Sequence, residues 1–437
     1  MERLRCWLVV LCLPALAFAE SPKSNGENTY KQLELFARVL SYVENNYVEE
    51  VDQQQLVYGA IKGMLETLDP HTVFMPPDVF KEMKIDTSGE FGGLGIEIAR
   101  KNDGMVVVAP IDDTPAQRAG IKSGDQILSI DGEDTRNMDL ARAIAKMRGP
   151  AGKKVMLTIM RDGFNAPREF AIIRDHIRIA SVEGAIYGGI GYAKVKNFQE
   201  RTDLALFKEL ERQRGLNGGK ELRGLVLDLR NNPGGLLDQA VAVSDRFLPG
   251  NLPIVATKGR NKATVNEEKS KDRDTEKPYP IVVLVNAGSA SASEIVAGAL
   301  QDHQRAVIMG TPTFGKGSVQ TVIEMEDGSG LKLTIARYYT PKGRSIQEKG
   351  IGPDFVVFEK DAGGKSEPPT REKDLRRHFK NEGTVEEAVV KQNLPENLKP
   401  WDVSEKLDDY PLKVALNYLN GIAPVGKATA KAPAPRP

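Results

Sequence analysis

Two cysteines are all the chain has, Cys6 and Cys12, and both fall within its first nineteen residues. Those residues read as a secretory signal. Arg3 and Arg5 form the charged start, residues 7–13 the apolar middle and Ala17-Phe18-Ala19 the small-residue cleavage site. The expected mature chain has no cysteine, which excludes disulfides and thiol chemistry. The apolar run is too short for a secure transmembrane anchor. Histidine is scarce as well: His71, His176, His303 and His378 are the whole set. None sits in a motif suggesting a Ser–His triad, and no ligand cluster has zinc spacing, so neither a metal nor any other cofactor is implied. Charge of one sign is also lacking. The chain carries 60 basic and 60 acidic residues, and loss of Arg3, Arg5 and Glu2 with the signal leaves 58 against 59. Nothing in that balance points to nucleic acid or an anionic membrane surface. An internal repeat of about 20 to 50 residues is absent too. What remains, 437 residues with 40% hydrophobic and 27% charged content, is ordinary for a globular protein with room for about three domains.

The informative stretch is residues 286–320, which holds two halves of one candidate site. Asn286-Ala-Gly-Ser-Ala-Ser-Ala-Ser-Glu294 lies between the apolar run Ile281-Val-Val-Leu-Val285 and the helical pattern Ile295-Val-Ala-Gly-Ala-Leu300. A strand, a small-residue turn and a helix present a hydroxyl at a helix N-terminus, where backbone N–H groups are unpaired. Thr313-Phe-Gly-Lys-Gly-Ser-Val-Gln320 follows the short run Ala306-Val-Ile-Met309 and sets Lys316 between glycines. Without a placed histidine, a neutral lysine is the alternative base for a serine. Neutrality at pH 7 needs a fall of roughly three units from about 10.4, or about 4 kcal/mol of burial and positive surroundings. Phe314, Gly315, Gly317 and Val319 suit burial and bring no local carboxylate, and Gln320 can orient the amine without charging it. Two plainer readings compete. Ser291-Ala-Ser-Glu294 also fits a capping box that merely closes a helix. Gly310-Thr-Pro-Thr-Phe-Gly-Lys316 matches a P-loop up to its last position, where Gly317 stands; the β-branched run that follows lacks the helix a P-loop needs.

Taken together, these motifs resemble the carboxyl-terminal processing, or tail-specific, serine proteases, and the resemblance covers most of the chain from about residue 36 to 354. It implies Ser291 as nucleophile, Lys316 as general base and Gln320 as the base's orienting partner. It also implies an oxyanion hole in which the turn Arg230-Asn-Asn-Pro-Gly-Gly235 supplies an N–H from Gly234 or Gly235, and Ala292 supplies another. A plain strand-to-helix turn is the competing reading of those glycines.

Elsewhere the chain divides by pattern. Residues 20–85 form an expected N-terminal helical segment, after a polar linker at residues 21–28. Leu33, Phe36, Val39, Leu40, Val43 and Tyr47 recur at helical spacing, as do Leu56, Val57, Ile61, Met64, Leu65 and Leu68, with Asp52 as cap and Asp69-Pro70 as stop. The family likeness assigns this pair to dimerisation; docking on the chain's own core is the alternative. Residues 86–176 resemble a PDZ domain. The turn Phe91-Gly-Gly-Leu-Gly-Ile96 exposes backbone N–H groups that can hold a peptide carboxylate, so Gly93, Leu94, Gly95 and Ile96 are the candidate peptide-binding residues, with Arg118 and Arg148 the nearest cations. From residue 177 to about 360, strands alternate with helices, including strands at residues 190–195, 222–229, 254–256 and 281–285 and helices at 204–213 and 237–247. This argues for an α/β sheet with helices on its faces. The expected fold is thus an α/β protease core, ClpP/crotonase-like by the family likeness, with an inserted PDZ domain and helical N- and C-terminal segments. Residues 258–276 read as a solvated loop or hairpin, 358–370 as a boundary, 361–420 as short helices and 421–437 as a disordered tail. The likeness implies an exported, periplasmic serine endopeptidase. Its substrates would be cell-envelope polypeptides, cell-wall hydrolases among them, captured by their C-termini; an adaptor lipoprotein and homo-oligomers, dimers or multiples of them, are further expectations. A PDZ scaffold on a catalytically dead protease fold is the competing reading.

Overall fold

The computed structural model describes residues 25–101, 104–261, 265–271, 274–359, 369–382, 401–405 and 407–422. The expected signal, residues 21–24 of the polar linker, most of the 358–370 boundary and the tail beyond residue 422 lie outside them, and residues 25–28, expected as linker, begin a helix instead. The described residues up to 63 and those from 64 onward form two compact units. The first contains helix α1 (Asn25–Asn46) and most of α2 (Gln53–Glu66). Asp52 Oδ1 accepts the N–H of Gln55 at 3.1 Å, closing the start of α2. Leu33, Phe36 and Val39 of α1 are exposed.

The second unit opens with β1 (Val73–Met75) and α3 (Pro77–Ser88), whose end is turned by Gly89 at φ 68°. A short ribbon of β2 (Glu90–Gly93) and β9 (Asp175–Arg178) then brings the two ends of residues 90–178 side by side, as an inserted module requires. Within the module β3 (Ile96–Lys101), β4 (Gly104–Pro110), α4 (Pro115–Arg118), β5 (Gln126–Ile130), β6 (Glu133–Asp134), α5 (Leu140–Met147), β7 (Lys154–Met160) and β8 (Arg168–Ile173) follow in order. The sheet order is β3-β4-β5-β7-β8, with β6 added to β5. Val155, Leu157 and Ile159 alternate into a core shared with Met105, Val107, Ile127 and Ile130. Asp139 Oδ1 accepts the N–H of Arg142 at 2.7 Å and starts α5. β3 is left as an edge strand.

The main sheet joins β10 (Val182–Tyr187), β11 (Ile190–Val195), β12 (Gly224–Asp228), β15 (Ile281–Val285), β16 (Val307–Gly310) and β19 (Phe355–Val356) in that order. It is parallel except for β10 against β11. Every residue of β12 and β15 is buried, as a sheet covered on both faces demands. Leu225, Leu227, Val283 and Val285 enter a core that also includes residues of α6 (Thr202–Leu216), α7 (Leu237–Asp245) and α8 (Ala292–Asp302). Val226, Val282 and Leu284 point to the other face, where Leu412, Ala415, Leu416 and Leu419 of α10 (Tyr410–Ile422) cover them. The strand expected at residues 254–256 does not continue this series. As β13 (Pro253–Gly259) it pairs with β14 (Val265–Lys269) in a hairpin and with β18 (Gly330–Tyr339), in a second sheet that also holds β1 and β17 (Ser318–Glu324). A run of three apolar residues shows that a strand is present but carries no mark of which sheet it joins.

Candidate active site

The turn that ends in α8 is built from three serines with three different fates. Ser289 Oγ donates to the carbonyl of Leu229 at 2.7 Å, and Ser293 Oγ to the carbonyl of Asn232 at 3.0 Å. Both hydroxyls are spent on fastening this turn to the end of β12. Ser291 stands between them, buried, with φ 54° and ψ −111°. That conformation is sparsely allowed for a residue with a side chain, and such strain of about 1–3 kcal/mol persists where the surroundings enforce it. The N–H of Glu294 bonds the Ser291 carbonyl oxygen at 2.9 Å, and the two residues form the capping box their spacing suggests. Beside Ser291 stands the phenol of Tyr338, buried and pushed up to about 12 by that burial, with the Ser291 side chain acting the other way.

Glu294 is the joint between the two halves. It is fully buried, and its oxygens accept the N–H groups of Ser291 (2.8 Å), Gly315 (2.7 Å) and Lys316 (2.9 Å) and the hydroxyl of Thr313 (2.5 Å). Burial pushes its carboxyl up to about 7 against the pull of those four bonds. The N–H of Phe314 adds a further tie, to the carbonyl of Ser289 at 3.0 Å. The capping glutamate legible in the sequence therefore does a second thing that local spacing does not reveal.

Lys316 is half-buried just before β17, and that strand, not a helix, follows the lysine, which removes the P-loop. Burial and the charge of Lys332 bring the amine down to about 8, while Glu372, Glu294 and Asp69 oppose them. The carboxylates missing from the local sequence are thus brought in by the fold. No hydrogen bond joins Ser291 to Lys316 among the described residues. Gln320 Nε2 donates to Ser318 Oγ at 2.9 Å and Thr334 Oγ1 at 3.3 Å, and Thr334 in turn donates to Asp69 at 3.1 Å. The histidines are engaged elsewhere: His71 with Glu372, His303 with the Pro253 carbonyl and His378 with Glu348, while the backbone N–H of His176 bonds Asp175.

The turn after β12 packs directly on the serine. A methyl group on Gly234 would lie 2.8 Å from the Ala290 carbonyl oxygen, 2.9 Å from Ser291 Cβ and 3.1 Å from the Ala292 nitrogen. Asn232, fully buried, holds this approach by donating to the Val195 carbonyl and accepting the N–H of Ala290 on its own carbonyl. It also accepts the Gly234 N–H on Oδ1 at 2.9 Å, so that donor is taken. The N–H groups of Gly235 and Ala292 have no partner among the described residues. Asn232, Glu294 as a bridge, and Tyr338 escaped the sequence reading; only Glu294 left a local signal, its spacing from Ser291.

In the inserted module the Leu94 side chain is buried in the core, and the backbone N–H groups of Leu94 and Gly95 have no partner among the described residues. Gly95, at φ 77°, sits where a methyl group would strike Thr114 at 2.3 Å. Ile96 opens the edge strand β3, and Gly93 ends β2. Arg118 is paired with Asp175, and Arg148 with Glu82 and the ring of Phe91.

Three family models match: Peptidase family S41 over residues 189–357, the PDZ domain over 82–160, and the activating protease CtpB N-terminal domain over 15–79. Fold and matches together define a serine-type peptidase with a PDZ domain, a module of the kind that binds peptide C-termini. The chain is 48% identical over 350 residues to a carboxy-terminal-processing protease of Bartonella bacilliformis, covering 80% of each chain. It is 36% identical over 360 residues to the carboxy-terminal processing protease CtpB of Bacillus subtilis, covering 80% of this chain and 71% of that one. A solved photosystem II D1 C-terminal processing protease is similar at 31% identity and a TM-score of 0.44, over 76% of this chain and 88% of that one. The chain belongs to the carboxy-terminal processing proteases of family S41. No helix among the described residues is long and apolar enough to cross a membrane.

Proposed function

We propose that the protein is an endopeptidase that works with a Ser/Lys dyad. Ser291 attacks the scissile carbonyl, Lys316 takes its proton, and Gln320 holds the base. Ala292 and Gly235 supply oxyanion N–H groups, with Gly234 shaping the hole. One observation carries this reading: of the three serines of the turn, Ser289 and Ser293 are bound to backbone carbonyls, and Ser291 is left strained beside two unpartnered N–H groups. The lowered proton affinity of Lys316 supports it as base. Catalytic hydrogen bonds are commonly long in unliganded enzymes, and the dyad here closes when substrate binds.

The finer assignments belong to the same proposal. The core from about residue 177 to 360 is ClpP/crotonase-like, and residues 86–176 capture the C-terminal end of a polypeptide along β3 through the N–H groups at residues 93–96. Residues 20–85 supply the helices α1 and α2 that serve assembly into dimers or multiples of them, whereas α10, within residues 361–420, docks on the chain's own core. After removal of residues 1–19 the protein works in the periplasm on cell-envelope proteins, such as cell-wall hydrolases, with an adaptor lipoprotein. The test is cleavage of casein by the wild type, Ser291→Ala and Lys316→Ala. Cleavage by the wild type alone is expected. Cleavage by none, with envelope extract present, moves the protein to the PDZ-scaffold reading, and full activity of Lys316→Ala removes the dyad.

A further inference from the structure

Residues 371–382 cross the lysine side of the site, and the proposal above gives them no task. Glu372, in the 3-10 turn Glu372–Asp374, is fully buried. Its N–H donates to the Phe314 carbonyl at 3.1 Å, and its Oε1 accepts from Gln347 Nε2 at 2.9 Å. Gln347, also fully buried, accepts the N–H of Gly317 on Oε1 at 3.0 Å. The backbone is therefore gripped on both sides of Lys316, and the two gripping residues are bonded to each other. Arg371 extends the grip by donating from Nε to the Thr313 carbonyl at 3.0 Å. The carboxylate itself is held by His71, whose Nε2 lies 2.8 and 3.0 Å from its two oxygens. Gly317 is what allows the approach, because a methyl group there would lie 2.5 Å from the Gln347 nitrogen.

We propose that Glu372 is a positioning residue for Lys316, clamping the backbone on either side of the lysine through Gln347, with His71 holding its carboxylate in place. This rests on the Ser/Lys reading. The charged groups acting on the amine are Lys332 of β18, Glu294 of α8, Asp69 ahead of β1, and Glu372; of these, Lys332 favours the neutral form and the three carboxylates the charged one. Glu294 is held by four hydrogen bonds from residues 291, 313, 315 and 316, and Asp69 by four from His71, Thr72 and Thr334. Glu372 comes from a separate segment, so its charge can be removed while the hydrogen bonds on Glu294 and Asp69 stay in place.

The experiment measures kcat and KM of the full-length protein on fluorescein-labelled casein from about pH 6 to about pH 9.5. Glu372→Ala is expected to lower kcat roughly tenfold or more with KM little changed, the pattern of a misplaced catalytic group. Glu372→Gln keeps the shape and loses the charge, so it is expected to retain more of kcat and to move the acid limb to lower pH. The limb position does not depend on how much enzyme is folded, so it decides the matter even where a variant folds poorly. An unmoved limb in Glu372→Gln, together with wild-type kcat in Glu372→Ala and Gln347→Ala, overturns the proposal. Ser291→Ala and Lys316→Ala separate the failures: both inactive leaves the dyad standing and the clamp refuted, whereas an active Lys316→Ala refutes the dyad first.

Discussion

At the scale of single residues, the proposed oxyanion hole and the proposed base make separable claims. Gly234, at φ 105°, has no room for a methyl group against Ala290, Ser291 and Ala292. Gly234→Ala is expected to push the two turns apart and to lower kcat by roughly two orders of magnitude, the usual loss for one oxyanion donor, with KM little changed. Steady-state kinetics on labelled casein checks this, and near-normal kcat would take the turn out of the hole. In the proposed dyad Lys316 acts in its neutral form, and its amine has been brought to about 8. Activity should therefore rise with pH, about tenfold per unit well below that value, and level off above it; kcat/KM of the free enzyme is the quantity to follow. A profile flat into mild acid would mean that some other group takes the proton. Of these residues, Ser291, Lys316 and Gln320 stood out in the sequence because their neighbours are distinctive. Glu372 and Asp69 did not, since each acts across a long stretch of chain and nothing beside it announces the partner.

At the scale of elements, α10 contributes stability from the face of the sheet opposite the active-site turn. Leu416 is fully buried among Val226, Val282 and Leu284. Leu416→Ala should cost about 2–5 kcal/mol, read as a lower denaturation midpoint, while the folded fraction keeps its rate of casein cleavage. A loss below about 0.5 kcal/mol would mean that α10 is not anchored there. The helix is also tied by Asp409, whose carboxylate lies 2.6 Å from Arg230 at the start of the oxyanion turn and is held below its ordinary range by it. Helical periodicity exposed α10 and α6, and apolar runs exposed β11, β12 and β15, while β10 and β19 left no such mark. Neither could assign β13 to the second sheet, since strand partners are chosen by long-range packing.

For the whole molecule, the question is how the PDZ domain and the protease core communicate. A peptide that occupies the edge of β3 with a free C-terminal carboxylate is expected to stimulate casein cleavage, and the same peptide with an amidated end to do so much less. Equal effects of the two peptides would mean that the domain does not read the chain end. The covalent route between domain and core is short: β9 ends at Arg178 and β10 begins at Val182. Gln199 Nε2 donates to the Ile179 carbonyl in that connection and belongs to the segment that follows β11 beside Gly235. The sequence by itself determined the chemistry on offer: three serines among small residues, one lysine between glycines, cysteines only at positions 6 and 12, and a glycine-rich turn ahead of β3. These are local matters of residue type and spacing. Only the tertiary structure decided which serine hydroxyls are spent on distant backbone carbonyls, which N–H groups remain unpaired among the described residues and which carboxylates surround the amine, because burial and hydrogen bonding between distant segments exist only once the chain has packed.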